Sequence, residues 1–491
     1  MKNKLSEDEY KKLCIALDKE LATKICNDNR MANPWFHMVR PHPAFLSSYQ
    51  YAFKRMPISD VCIGLLKAFM NILRVLRCFF KKNQYWHGNL ANTPDVLIIS
   101  HLVSANDAGS EKDFYYGQII KELKSIGVTS TIALFNHTAE KSSDMAAKWT
   151  SKSKSVIVFE KALNFSKEFH FYKESILDAF RLFKKSIFIK KDFEKKLLIL
   201  GAKSALEGGS IVPLRYAEQI QALVEKIKPK ALIVTYEGHS WERVTFSKVK
   251  SVMPNILCIG YQHAPLFYLQ HSIQRKLGLN YDPDIILTSG EVAKKRLKSV
   301  NELSGIKIDV LGSIRSFKKE IMNQKTKEKF TCIVIPEGLE SECYLLFKYS
   351  LECATLIPEL NFIWRLHPLM SIEKLKEKYK LFDKLPNNIK ISQGDIGSDL
   401  AEANLALYRG SSAVLQAVAA GVYPVYLRIS NEITIDPLFE VEASRGSVKD
   451  PDDFKKILNC LNMNSEKINE LQSYCEKLFT PINIKVLKDI L

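Results

Sequence analysis

Phe362-Ile363-Trp364-Arg365-Leu366-His367-Pro368 and Leu405-Ala406-Leu407-Tyr408-Arg409-Gly410-Ser411-Ser412 are apolar runs that each stop on polar side chains. Each reads as a buried strand of a parallel sheet with its charged and hydroxyl residues at the C-terminal end. The second run opens into a helix, read over 413–420. Ligands of α/β sheets bind beyond the strand C-termini. A helix N-terminus behind a Gly-Ser-Ser turn offers free N–H groups and a positive dipole end to an anion. Arg365, His367, Arg409, Ser411 and Ser412 are therefore expected to meet at a phosphate or pyrophosphate. Capping by Ser411 and Ser412 accounts for the hydroxyls, but not for Arg365, His367 and Arg409 at neighbouring strand ends.

Strands alternate with helical stretches on both sides of these runs. An earlier series reads over 95–101, 131–135, 155–159, 231–236, 256–261, 285–288 and 309–312. A later one starts at 330–336 and passes through the two quoted runs to 422–427. Two such series predict an α/β fold with two Rossmann-like, doubly wound domains facing a cleft. The expected boundaries are a basic helical extension over 1–90, a first domain over 91–315 and a second over 316–491. The charged stretch from Ser316 to Lys329 reads as a linker.

A chain of 491 residues exceeds a single core. Its formal net charge of +17 suits a nucleic acid, an anionic membrane or an acidic substrate. With no zinc finger, Arg/Gly-rich tail or basic recognition helix, no nucleic-acid partner is expected. The ten cysteines lack a C-x-x-C pair and read as free thiols of a reducing compartment. The first residues lack an apolar signal core. A cytoplasmic location follows, with possible attachment to the inner face of a bacterial plasma membrane. Residues 1–90 hold 15 Lys/Arg against 7 Asp/Glu. Within them, 61–82 reads as a helix with Lys67, Asn71, Arg74, Arg77 and Lys81 in one polar stripe. An in-plane helix on an anionic leaflet and a helix packed on the domain with a solvated basic stripe both fit this pattern.

The first domain carries Tyr236-Glu237-Gly238-His239 after one strand and Tyr261-Gln262-His263 after the next. Glu237 at a strand end can take a proton from an attacking hydroxyl, and His263 can serve as base or phosphate contact. A helix-capping role for Glu237 and a hydrogen-bonded structural role for His263 are the competing readings. In the second domain, Pro336-Glu337-Gly338 places Gly338 where a nucleotide can approach the backbone. Neither G-x-x-x-x-G-K-[ST] nor G-x-G-x-x-G occurs, against a P-loop ATPase and a dinucleotide dehydrogenase. No H-E-x-x-H or carboxylate cluster points to a catalytic metal, so no metal or cofactor is expected.

Together these residues resemble bacterial glycosyltransferases of the GT-B fold that build surface carbohydrate such as O-antigen and capsule. Sialyltransferases and polysialyltransferases of that group carry acidic-Gly, His-Pro and Ser/Thr motifs, matched here in order by Glu237-Gly238, His367-Pro368 and Ser411-Ser412. The resemblance covers about 95–460 and departs in having a single acid at the first motif. It implies a nucleotide-sugar donor, with a CMP-linked acidic sugar (sialic-acid-like or Kdo) preferred. It implies a lipid-linked or surface glycan acceptor, Glu237 as base, and His367 with the serines on the donor phosphate. A second likeness, to teichoic-acid-type glycerophosphate transferases, rests on Gln262-His263-Ala264 and implies CDP-polyol phosphotransfer with His263 as base. A non-catalytic nucleotide-sugar or glycan-binding protein is the third expectation.

Overall fold

The computed structural model describes residues 5–23, 27–55, 58–90, 93–149, 156–278, 280–316, 330–368, 370–460 and 465–491. The stretch read as a linker lies almost wholly outside them.

The first sheet contains β1 (Trp86–His87), β2 (Val96–Leu102), β3 (Ser130–Asn136), β4 (Val156–Phe159), β5 (Ala231–Thr235), β6 (Leu257–Gln262), β7 (Ile285–Thr288) and β8 (Lys307–Val310). Its order is β1-β4-β3-β2-β5-β6-β7-β8, parallel except for β1, which runs antiparallel to β4. The second sheet contains β9 (Thr331–Ile335), β10 (Asn361–Trp364), β11 (Ile389–Ile391), β12 (Leu405–Tyr408), β13 (Tyr423–Leu427) and β14 (Gly446–Val448). Its order is β11-β10-β9-β12-β13-β14, parallel throughout. The central strands are buried along their whole length because helices cover both faces. The two Rossmann-like layers face one another across a cleft, as the alternating pattern predicts.

The strand order reverses between β2 and β5 in the first sheet and between β9 and β12 in the second. At such switch points the flanking loops diverge and leave a crevice at the strand C-termini. Glu237 follows β5, and both Gly338 and the Gly410-Ser411-Ser412 turn flank the second switch point.

Two features depart from the sequence pattern. The chain returns to the first sheet after the second: Ser313 N–H donates to Thr480 O, Thr480 N–H to Ser289 O, and Asn483 N–H to Leu311 O. Leu487 then packs in the core of the first layer. The helix read over 61–82 runs Ile58–Leu76 and is seated through Asn71 of its polar stripe, while Lys67, Arg74 and Arg77 stay exposed. Asn71 is buried, and its amide donates to the Glu207 carbonyl at 2.6 Å. Lys67 pairs with Glu207 at 3.5 Å, and Lys81, just beyond the helix, pairs with Glu160 at 3.2 Å. The apolar face is left outward.

Candidate active site

The C-terminal ends of β2, β3, β5 and β6 bring four histidines and one acid together. His101 Nδ1 lies 2.8 Å from His137 Nε2, and His101 Nε2 lies 3.3 Å from Thr235 Oγ1. Glu237 Oε2 lies 3.3 Å from His239 Nε2. Tyr115 stands edge-on to His263 at 4.5 Å and to His101 at 5.7 Å, and Trp241 packs edge-on to His101. Glu237 and His263 thus share one aromatic-walled site.

The loop that carries Glu237 is fixed by its backbone. Glu242 accepts the N–H groups of Glu237, Gly238 and His239, and so caps the Ser240–Val252 helix. Gly238 has φ +85, and a Cβ there would collide with the Ser272 backbone, so only glycine lets the loop close. The capping role considered for Glu237 belongs to Glu242. Arg243, on the same helix, pairs with Asp282.

Charge in the site is finely divided. Burial raises Glu237, but the hydrogen bond from His239 and the charges of His263, His239 and Arg40 outweigh it and bring the carboxyl down to about 2. Burial lowers His239, yet Glu237 and Glu242 leave it above the ordinary imidazole value. Glu237 and His239 therefore each favour the other's charged form. Burial pushes Glu242 up to about 7, against N–H groups that favour its charged form. Burial, with His137, His263 and His239, drives His101 down to about 3. Burial drives His263 to about 4 despite the nearby Glu237.

His101 and His263 are neutral in the folded protein near pH 7, whereas unfolded histidines titrate near about 6.5. Below that pH the unfolded chain binds more protons, so stability is fully present above it and is lost as pH falls toward the folded values. Urea unfolding is expected to show a lower midpoint at pH about 5 than at pH about 7.5. A His101→Gln/His263→Gln double substitution should shrink that difference.

Across the cleft, a Cβ on Gly338 would come within 2.7 Å of His367 Nδ1, so the glycine gives the half-buried imidazole its place. Burial lowers the His367 pKa. Gly410 serves Glu337 in the same way: a Cβ there would strike Glu337 Oε1. Ser411 is buried and Ser412 exposed in the turn before the Val414–Ala419 helix. Neither serine is that helix's N-cap, a position held by Ala413 without a side-chain hydrogen bond. Among the described residues, the N–H groups of Ser411, Ser412 and Ala413 have no protein acceptor. The turn therefore keeps donors available to a ligand.

The two strand-end arginines do not converge with His367 and the serines as expected. Arg409 is 1% exposed and is held by Glu342 at 2.7 Å and Glu432 at 2.5 Å. Buried Glu342 and partly buried Glu432 occupy its guanidinium and offset its charge. Arg365 bonds Asp399 at 2.6 Å, the Ser392 hydroxyl at 3.2 Å and the Gly394 carbonyl at 3.0 Å, bracing the loop after β11.

Several residues of this cleft carried no motif. His101 and His137 end strands read only as apolar runs. His42 belongs to the N-terminal extension, yet its Nε2 lies 2.8 Å from Glu337 Oε2 in the second layer. Arg40 stacks over Phe45 and Phe267, and Arg315 over Phe114. Their charges act on the cluster, Arg40 on Glu237 and Arg315 on His263. The extension therefore lines the site. Among the described residues, no group of three or more His, Cys, Asp or Glu side chains is placed to hold a metal ion.

The strand orders and paired switch points define a two-layer architecture of the GT-B kind. No family model matches the chain, and no curated protein matches its sequence. Among solved structures, it is similar to the glycotransferase of kitacinnamycin at 10% identity, covering 82% of this chain and 99% of that one, with a TM-score of 0.46. It is also similar to MurG from Acinetobacter baumannii at 10% identity, with 81% and 99% covered and a TM-score of 0.45. UDP-GlcNAc 2-epimerase from Neisseria meningitidis, bound to UDP-GlcNAc, shows 12% identity, 80% and 98% coverage and a TM-score of 0.45.

Proposed function

We propose that the protein is a glycosyltransferase that moves a sugar from a nucleotide donor to a hydroxyl of a lipid-linked or surface glycan, beside an anionic membrane. The observation that carries this reading is the confrontation of two switch points. One presents a Glu/His cluster, and the other presents His367 with the unpaired N–H groups of Ser411, Ser412 and Ala413. In the proposed reaction the acceptor oxygen attacks the anomeric carbon. The bond from that carbon to the phosphate oxygen breaks, and the acceptor proton passes to Glu237. Attack opposite the leaving group inverts the anomeric centre. His367 and the turn stabilise the nucleoside phosphate as charge develops on it. Arg40 and Arg315 add positive charge at the histidine cluster, which suits a donor with its own carboxylate, such as a CMP-linked sialic-acid-like sugar or Kdo. No metal is assigned a part in these steps.

A second reading has one observation in its favour. His263 is neutral at pH 7, half-buried and adjacent to Tyr115, which suits an imidazole base in phosphotransfer from a CDP-polyol.

His367→Ala and Ser411→Ala/Ser412→Ala are expected to weaken nucleotide binding by roughly tenfold each, the loss of one or two charge-assisted hydrogen bonds. Titration calorimetry with CMP, CDP, UDP and GDP checks this and ranks the bases. Unchanged affinity in both variants removes His367 and the two serine hydroxyls from the donor site.

A further inference from the structure

The outward face of the Ile58–Leu76 helix is apolar: Ile63, Leu65, Leu66, Phe69, Ile72 and Leu76 are all exposed, Leu65 at 67%. The surface continues beyond this helix. Phe80 is 93% exposed, and its neighbour Phe79 contacts Phe165 at 5.5 Å. Phe165 stacks on Phe169 in the Phe165–Ile187 helix. Along that helix Phe169, Lys173, Leu177, Phe180, Lys184 and Ile187 recur at three- and four-residue spacing and share one exposed face. Phe180 is 66% and Phe188 75% exposed. Isolated exposed apolar residues are ordinary, but two adjoining helices with a continuous aromatic and aliphatic face are not.

We infer that these two helices form a membrane-docking platform whose occupant is an anionic bilayer surface. The inference rests on the glycan-transfer reading only for its purpose, which is to hold a lipid-borne acceptor at the cleft. Charge selects the occupant. Lys67, Arg74, Arg77 and Lys81 flank the seated side of the first helix, and Lys173, Arg181 and Lys184 are exposed on the second. Long cationic stems beside an apolar face reach headgroup phosphates while the rings enter the acyl boundary. A second copy of this chain would set these cations against one another. Position agrees with the purpose. Lys81 and His87 both bind Glu160, one residue past the C-terminal end of β4. Asn71 bonds the turn before the Ile211–Ile227 helix, whose Tyr216 stacks on Phe135 at 3.6 Å, beside Trp241 and His101. The platform therefore lies along the edge of the first sheet that carries the histidine cluster.

The test uses the full chain without donor or acceptor. Sedimentation with vesicles of phosphatidylglycerol and phosphatidylethanolamine is compared with pure phosphatidylcholine. Binding is expected to the first and to weaken as salt rises. Phe69→Gln/Phe80→Gln and Phe180→Gln/Phe183→Gln should each weaken it by about tenfold or more, since apolar burial drives insertion. Lys67→Gln/Arg74→Gln should weaken it by on the order of fivefold per cation. Phe69, Phe80, Phe180 and its neighbour Phe183 are all exposed, so thermal unfolding and nucleotide calorimetry should match wild type. Loss of vesicle binding in only the first-helix pair would overturn the two-helix surface. So would a failure of wild type to bind anionic vesicles at low salt, or a dimer in light scattering that the Phe variants abolish. Vesicle binding without sugar transfer would uphold the platform and remove the glycosyltransferase reading.

Discussion

Glu237→Gln is expected to lower kcat by about 10²–10⁴-fold while donor affinity stays near the wild-type value. The substitution preserves shape and removes the proton acceptor. It also removes a negative charge that raises the His239 pKa. His263→Ala should act more mildly, through substrate affinity. Single-turnover rates with the true donor check both. The pH dependence separates the two bases without mutation. Glu237 is already ionised above about 2, so a rate that depends on it stays flat from neutral pH toward 4. A rate that depends on neutral His263 falls as pH drops through about 4. Near-normal turnover in Glu237→Gln together with a dead His263→Ala, and an acid limb near that value, would move the chemistry to phosphotransfer.

Arg409→Ala is expected to destabilise the protein by about 3–5 kcal/mol, because removing one partner leaves buried charge uncompensated. Here two carboxylates, Glu342 and Glu432, are left in the second layer. Burial already raises Glu342 above the ordinary carboxyl value with the guanidinium in place. Chemical unfolding followed by circular dichroism measures the loss. Unchanged stability combined with weakened nucleotide binding would return Arg409 to the ligand site.

The contrast between Glu237 and Arg409 shows what the sequence carried. Long buried strands declare themselves as apolar runs, and β2, β3, β5, β9 and β12 lie within a residue or two of their sequence bounds. Strands β1, β11 and β14 did not, because two or three residues at a sheet edge hold no apolar run and exist only through their neighbour. Polar groups at strand ends were visible, and with them Glu237, His263, His367 and the serine turn. Their partners were not. Arg409 meets its carboxylates 67 and 23 residues away, and a charged strand end reads the same whether it faces a ligand or a buried acid. The amphipathic helix was legible as a pattern, but its orientation was not, because seating it took Glu207 and Glu160 from distant segments.

The return of the chain to the first sheet has a mechanical consequence. The polypeptide leaves that sheet just after Ser313 and re-enters it at Thr480, and the two passages are stitched side by side by the Ser313–Thr480 bond and the close fit of Pro481 on Gly312. Two strands of chain through one corner act as a door hinge with two pins. Close by, Arg296 and Tyr268 of the first half pack against Phe439 of the second, so the setting of one half on the other is fixed around this corner. A small angle at that corner becomes a larger displacement at the far rim. The separation of Glu237 on one leaf from the Gly410-Ser411-Ser412 turn on the other therefore depends on how that corner is built.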